Sequence, residues 1–252
     1  MKLFSIIFSF SLFIFSSSNA QQGFIQKQRQ FPRVENAFKL KEENLIKQFD
    51  SLKLSYPPKQ IYLRSFKYDS ELEVWVRNNS SDSFNLFKTY KVCALSGSLG
   101  PKRIEGDYQV PEGFYYINEF NPKSQYHLSL GINYPNSSDE LLSDINKPGS
   151  EIYIHGGCIT VGCIPIKDHQ MEELYLLASL AKENKQDFIP IHIFPVRYNV
   201  KKSLQYLATT SKGNENYQLF AVTIQDVYDY FNYYKKLPLI GIDKEGNYSV
   251  LK

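Results

Sequence analysis

Short segments that alternate polar and apolar residues recur through the middle of the chain, and they limit the possible folds more than any other feature. The run ELEVWV at 71–76 places apolar side chains at every second position, as a strand with one buried face requires. The run NNSSD that follows is typical of a turn. Strands are predicted in seven segments, at 60–66, 71–77, 84–94, 108–120, 126–134, 151–155 and 188–198.

The last of these segments contains two prolines, which favours a place at the edge of a sheet. Helical spacing of apolar residues predicts helices at 34–54 and 223–236, and a third that begins with Asp168 as its N-cap. A turn at 245–247 predicts a closing hairpin. The fold class is therefore α+β and predominantly β, with flanking helices.

The first twenty residues have the pattern of a cleaved secretory signal. Lys2 precedes an apolar stretch from Leu3 to Phe15, and small residues at Ser18 and Ala20 suit a signal peptidase. The stretch is shorter than the roughly 20 residues of a membrane span. We expect an exported protein of the periplasm or cell envelope, with no stable membrane span after cleavage. Charges are nearly balanced, at 29 Lys and Arg against 26 Asp and Glu, and no basic run suggests nucleic acid as a partner.

The stretch IHGGCITVGCIPI at 154–166 places one histidine and two of the three cysteines within ten residues. A zinc site could use His155, Cys158, Cys163 and His169, although their spacing is irregular. A disulfide could join Cys158 to Cys163, or Cys93 to Cys158.

A reactive thiol is the third interpretation, because a thiolate needs a neighbouring base. His155 could return to hydrogen-bond the thiol at the far end of the loop, oriented by the carbonyl of Gly156. Gly162 would allow close approach of a substrate and leave amide groups free to hold an oxyanion. The glycine before it favours Cys163 as the nucleophile, although Cys158 is not excluded.

Four segments in order resemble the L,D-transpeptidase (YkuD-type) catalytic domain family, closest to its YafK-like branch. They are GPKRIEGDYQVPEGFYYI, NPKSQYHLSLGINYPNSSD, IYIHGGCITVGCIPIKD and IPIHIFPVRY. The resemblance implies a YkuD-like β-rich catalytic domain that acts on the peptide stems of peptidoglycan. It assigns Cys163 as a nucleophile that forms a thioester, His155 as the base, and Gly156 as the carbonyl that orients it, with no metal and no cofactor.

The implied organisation is a signal peptide at 1–20, a polar segment and helix at 21–59, the catalytic domain at 60–200, and a helix and hairpin extension at 201–252. Two positions depart from the family pattern. Val161 replaces a second histidine, and Pro165 replaces an arginine, which puts carboxylate recognition in question.

Four further residues are predicted to contact substrate. They are Thr160 in the cysteine-containing loop and Tyr116, His127 and Tyr134 in the matching segments. Two other functions remain possible, namely a catalytically idle module that binds murein, and a secreted protein with structural zinc.

Overall fold

The computed structural model describes residues 23–251, and the predicted signal peptide lies outside them. Ten strands and six helices make up this part of the chain. The helices are α1 Phe24–Arg29, α2 Pro32–Ser51, α3 Ser137–Leu142, α4 Asp168–Glu183, α5 Lys201–Thr210 and α6 Glu215–Tyr234. The strands are β1 Gln60–Phe66, β2 Glu71–Arg77, β3 Asn85–Lys91, β4 Gly113–Asn121, β5 Ser129–Ile132, β6 Tyr153–His155, β7 Ile164–Pro165, β8 Ile189–Phe194, β9 Leu239–Ile242 and β10 Tyr248–Leu251.

Eight strands form one mixed sheet in the order β3-β2-β1-β8-β4-β5-β6-β7. Neighbouring strands are antiparallel except for β1 with β8 and β6 with β7, which run parallel. The short strand β7 therefore forms one edge of the sheet. It brings the end of the cysteine-containing stretch beside the strand that ends at His155.

Both faces of the sheet are buried. In β1, Ile61 and Leu63 join the core that contains α2 and α4, whereas Tyr62 and Phe66 point to the opposite side. On that side the sheet packs against α6 and the β9–β10 hairpin. Because successive strand side chains point to opposite faces, a strand covered on both sides is apolar almost throughout.

Several predicted elements agree with the structure. The bounds of β1 and β2 are as predicted, and the C-terminal hairpin lies in the predicted segment. The helices α2 and α6 overlap the predicted helices at 34–54 and 223–236, but α6 begins eight residues earlier, at Glu215. Strands predominate between residues 60 and 200, and most helical residues flank that range, so the α+β class with a β-rich middle is confirmed. The four-part division of the chain remains a prediction.

The edge position predicted for β8 is wrong, because β8 lies between β1 and β4. Pro190 pairs only with β4, and the pairing with β1 starts at Ile191, so the missing N–H falls outside the parallel ladder. Asp168 is the first residue of α4, after the N-cap Lys167. None of the helices within residues 23–251 combines the length and the apolar character that a membrane crossing needs.

Candidate active site

The candidate site lies at the sheet edge, where β6 ends and β7 begins. The parallel register pairs Ile154 with Ile164, which places Cys163 beside Tyr153. The amide of Tyr153 donates a hydrogen bond to Sγ of Cys163 at 3.4 Å, and the thiol donates to the carbonyl of Glu151 at 3.6 Å. The loop 156–163 connects the two strands, so the histidine and the thiol stand at its two ends.

The His155 ring is held in one orientation. Its Nδ1 lies 2.6 Å from the carbonyl oxygen of Gly156, and the side chain is only 3% exposed. A carbonyl can only accept, so Nδ1 carries the hydrogen and Nε2 keeps its lone pair. The Tyr126 ring covers the imidazole, with 4.7 Å between ring centroids. The ring is therefore in the tautomer that a general base needs.

Close packing requires a glycine at position 156. A Cβ there would lie 2.6 Å from Oδ1 of Asp168, 2.9 Å from Cβ of His127 and 2.9 Å from the carbonyl oxygen of Tyr126. The same carboxylate oxygen of Asp168 accepts the amide of Gly157 at 2.8 Å. The first turn of α4 thus supports the peptide whose carbonyl holds the His155 ring.

A disulfide distinguishes the three cysteines. Cys93 and Cys158 are bonded, with Cα atoms 5.4 Å apart, and Cys163 keeps a free thiol. A Cys158–Cys163 bridge is therefore excluded, and the Cys93–Cys158 alternative is the one observed. The proposed zinc set loses Cys158 as a ligand, and within residues 23–251 no three His, Cys, Asp or Glu side chains converge to hold a metal ion.

Thr160 organises the turn before the free thiol. Its hydroxyl donates to the carbonyl of Cys163 at 2.8 Å and accepts the amide of Gly162 at 3.1 Å. The Gly162 amide is therefore already bound by the Thr160 hydroxyl, and a place for Gly162 on the oxyanion side remains a prediction. The amide of Cys163 itself has no acceptor within residues 23–251. Gly162 has φ of +141°, a backbone conformation that favours glycine.

Burial favours the neutral forms of both the Cys163 thiol and the His155 imidazole. It raises the pKa of the Cys163 thiol, against the opposing effect of the Tyr153 amide. It lowers the pKa of His155, partly offset by the hydrogen bond to the Gly156 carbonyl. The resting site therefore holds a thiol and a neutral imidazole rather than a thiolate and an imidazolium.

The other predicted contact residues have structural partners. The Tyr134 hydroxyl donates to the carbonyl of Pro148 at 2.8 Å and the side chain is buried, so packing accounts for this residue, and its substrate contact remains a prediction. The Tyr116 ring packs on Phe188. His127 lies beside Gly156, with Nε2 3.0 Å from a carboxylate oxygen of Glu172. Substrate contacts of Tyr116 and His127 remain predictions.

Three contributors to the site were missed by sequence reasoning. Tyr126 covers His155, Asp168 supports the glycine pair, and Tyr153 donates to the thiol. Tyr126 lies next to His127 in a segment that carries the family resemblance, which was a usable signal. The other two act through the strand register and the start of α4, which a linear pattern does not reveal. Pro165, in place of the family arginine, is buried in β7.

Comparison with known proteins agrees with the geometry. Residues 69–193 match the family model described as YkuD, the L,D-transpeptidase catalytic domain. The chain is 28% identical to the Escherichia coli protein named "Putative L,D-transpeptidase YafK" over 194 residues, which is 76% of this chain and 74% of that protein.

Solved structures with a related arrangement are more distant. Pgp2 from Campylobacter jejuni, described as a helical cell shape determining protein, is 18% identical with a TM-score of 0.44, over 79% of this chain and 78% of that one. Bd1075 from Bdellovibrio bacteriovorus is 23% identical with a TM-score of 0.40, over 71% of this chain. The chain spans 63% of Bd1075 and 61% of a mutant form of Pgp2, less than two thirds of either. On the family match and the YafK relative, the chain carries a catalytic domain of the YkuD L,D-transpeptidase family.

Proposed function

We propose that this protein is an exported cysteine acyltransferase that acts on L,D peptide bonds in the stems of peptidoglycan. The observation that carries the proposal is the disulfide between Cys93 and Cys158, which leaves Cys163 as the free thiol. That thiol lies at the end of a loop that begins at a tautomer-fixed histidine. Family membership supplies the substrate class, because the relatives are named for L,D-transpeptidation.

The first step transfers one proton and forms one bond. Nε2 of His155 accepts the proton of the Cys163 thiol while the sulfur bonds to the carbonyl carbon of the peptide. Since the thiol donates to the Glu151 carbonyl in this structure, the S–H must turn away from it toward the imidazole. A neutral pair at rest means that deprotonation accompanies attack, with no preformed thiolate.

The carbonyl oxygen gains the negative charge as the tetrahedral intermediate forms. The amide of Cys163 is the donor available to it, because the Gly162 amide is bound to Thr160. When the C–N bond breaks, the imidazolium returns its proton to the leaving amine, and the acyl group remains on Sγ as a thioester. An incoming amine yields a new cross-link or attachment, and water yields hydrolysis. The role of Thr160 here is to position the loop.

A location in the periplasm or cell envelope is part of the same proposal. Disulfides persist in oxidising compartments and are rare in the cytosol, so the Cys93–Cys158 bond supports export. Peptidoglycan lies on the same side of the membrane. The predicted signal at 1–20 would provide the route.

Mass spectrometry of purified tetrapeptide muropeptides after incubation with the protein tests this function. We expect products of cross-linking or trimming with wild type and none with Cys163→Ala. A carbapenem should form a covalent adduct localised to Cys163, and an adduct elsewhere would contradict the nucleophile assignment. The idle-module hypothesis predicts binding of muropeptides without products from either protein.

His169→Ala provides a matched control. His169 lies exposed in the first turn of α4 and belongs only to the zinc hypothesis. We expect this variant to retain turnover and stability. Stoichiometric zinc in the wild-type protein, lost in His169→Ala together with folding, would instead favour the structural metal hypothesis.

A further inference from the structure

A cleft of about 910 Å³ lies between the loop at 98–109, α6 and the C-terminal hairpin, outside the groups that the mechanism uses. This volume is in the range of small-molecule sites, roughly 300–1,000 Å³. One wall is a stripe along α6, spaced by three and four residues, that lies beside the stripe packed on the sheet. It consists of Asn216, Leu219, Phe220 and Thr223.

A buried carboxylate beneath the cleft contacts residues of several of its walls. Glu112, which is fully buried, accepts the Gly100 amide at 2.7 Å from the loop and the Tyr217 hydroxyl at 3.1 Å from α6. Lys67, on the sheet side, lies 3.0 Å from the same carboxylate. On the hairpin side the Tyr248 hydroxyl accepts the side-chain amide of Asn136 at 2.7 Å. The cleft is therefore preformed, which lowers the entropy lost on binding.

Amide side chains line the cleft and are already oriented by the protein. Gln109 bonds Ser98 through both its oxygen and its nitrogen, and the oxygen of Asn214 accepts the Tyr217 amide. The side chain of Asn247 donates to Asp243. Each amide carries two donor hydrogens and two lone pairs, so donors and acceptors remain for a ligand.

Charge is scarce in the cleft. Among the lining residues Arg103 is the one charged side chain, and its Nη1 is engaged by Asp139 at 2.9 Å. The aromatic residues Tyr217, Phe220 and Tyr248 also contribute to the lining. Paired donors and acceptors beside aromatic rings suit the hydroxyl and acetamido groups of an N-acetylated sugar, whose C–H faces pack on rings. A stem peptide, with several free carboxylates and amines, would require more charged partners.

The cleft reaches the catalytic loop. Gln109 lines it, and the carbonyl oxygen of Gln109 lies 3.2 Å from where a Cβ on Gly162 would stand. Gly162 immediately precedes the nucleophile. We infer that the cleft is a subsite for the N-acetylated glycan chain to which the stem peptide is attached. This inference rests on the proposed function, since it names a further part of the same substrate.

Calorimetric titration of the Cys163→Ala protein tests the subsite without turnover. The probes are a β-1,4-linked N-acetylglucosamine tetramer and, separately, the free stem tetrapeptide. We expect the saccharide to bind and Asn216→Ala to weaken it roughly two- to tenfold, as loss of one or two hydrogen bonds implies. Gln225→Ala, on α6 but outside the cleft lining, should bind as the parent does.

Phe220→Ala is a second variant that removes a ring from the cleft and should weaken saccharide binding further. Two results would overturn the subsite. The first is that a folded Cys163→Ala protein does not bind the saccharide. The second is that Asn216→Ala weakens binding of the peptide and not of the saccharide. Failure of the proposed function looks different, because wild type would then leave muropeptides unchanged whatever the titration shows. For an active enzyme, Asn216→Ala should raise KM for glycan-linked muropeptides and leave KM for free tetrapeptide unchanged.

Discussion

Two histidines are almost equally buried, with 3% of His155 and 5% of His192 exposed, yet their surroundings differ. His155 ends β6 beside the edge strand and bonds a main-chain carbonyl through Nδ1. His192 lies within β8 in the middle of the sheet, with its Nδ1 2.7 Å from the Tyr62 hydroxyl and the Phe114 ring against it. His192 is buried because α6 covers this face of the sheet.

The surroundings, and not the degree of burial, distinguish the proposed base His155 from His192. Burial, with a smaller effect from the Arg64 charge, lowers the pKa of His192 to about 3. Burial also lowers the pKa of His155, but the hydrogen bond to the Gly156 carbonyl opposes that shift. Only His155 adjoins a glycine-rich loop that ends in a free thiol. The aromatic surroundings of His192 give it a structural role.

The sharpest test of this comparison replaces each histidine by glutamine in a separate variant. His155→Gln should reduce kcat/KM on muropeptides by roughly 10²–10⁴, the usual contribution of a general base. His192→Gln should keep kcat/KM within a few-fold of wild type while lowering stability, since it disturbs a buried contact with Tyr62. Steady-state kinetics and urea unfolding of the two variants decide the matter. Equal losses of activity in folded proteins would contradict the contrast.

The sequence pointed to the candidate site residues, but it did not reveal the side chains that contact them. His155 and Cys163 emerged from one short stretch, because a strand followed by glycines and a cysteine is a local pattern. The Cys93–Cys158 bond was only one of two possible pairings, since 65 residues separate the two cysteines and spacing alone does not bring them together. Pairing depends on the contact between the segment after β3 and β7, where the Cys93 amide bonds the Pro165 carbonyl at 3.0 Å.

The fold divides in the same way. Strands β1 and β2 were predicted with their bounds, because a regular run of apolar residues between turns is a local signal. The helices α3 and α5 were missed, since each is short and has few buried residues. The central place of β8 was missed because strand order depends on pairing between distant segments. Prolines at its ends were read as signs of an edge.

The Cys93–Cys158 disulfide supports the region around His155 and not the region around His192. Its removal therefore tests the comparison on the His155 side. Cys93→Ala/Cys158→Ala should lower the free energy of unfolding by roughly 2–5 kcal/mol, the usual range for a native bond. It should also reduce kcat, because Cys158 lies within the loop between the proposed base and the proposed nucleophile. Urea unfolding and kinetics measure the two effects. Unchanged kcat in a destabilised protein would show that the loop holds its shape without the bond.

The buried His192 should make the free energy of unfolding depend on pH. With a pKa of about 3 in the folded protein and an ordinary value of 6.5, His192 binds a proton in the unfolded chain first as pH falls. The free energy of unfolding should therefore decrease from pH 6.5 toward pH 3, by up to about 1.4 kcal/mol per pH unit from this group. Urea unfolding across this range should give a shallower slope for His192→Gln. Parallel curves would contradict the assignment.

The smallest expected effect comes from a single hydroxyl in the His155 region. Thr160→Val removes the hydrogen bonds to the Gly162 amide and the Cys163 carbonyl, so Cys163 loses part of its support while its thiol is unchanged. A lost hydrogen bond of about 0.5–1.5 kcal/mol corresponds to roughly a two- to tenfold decrease in kcat/KM. Thr209→Val is the matched control, because its hydroxyl bonds the Gln205 carbonyl within α5, away from the loop. Equal kinetics for the two variants would mean that the thiol is positioned by strand register and the Tyr153 amide alone. A decrease in kcat/KM confined to Thr160→Val would show that the loop also helps to position the thiol.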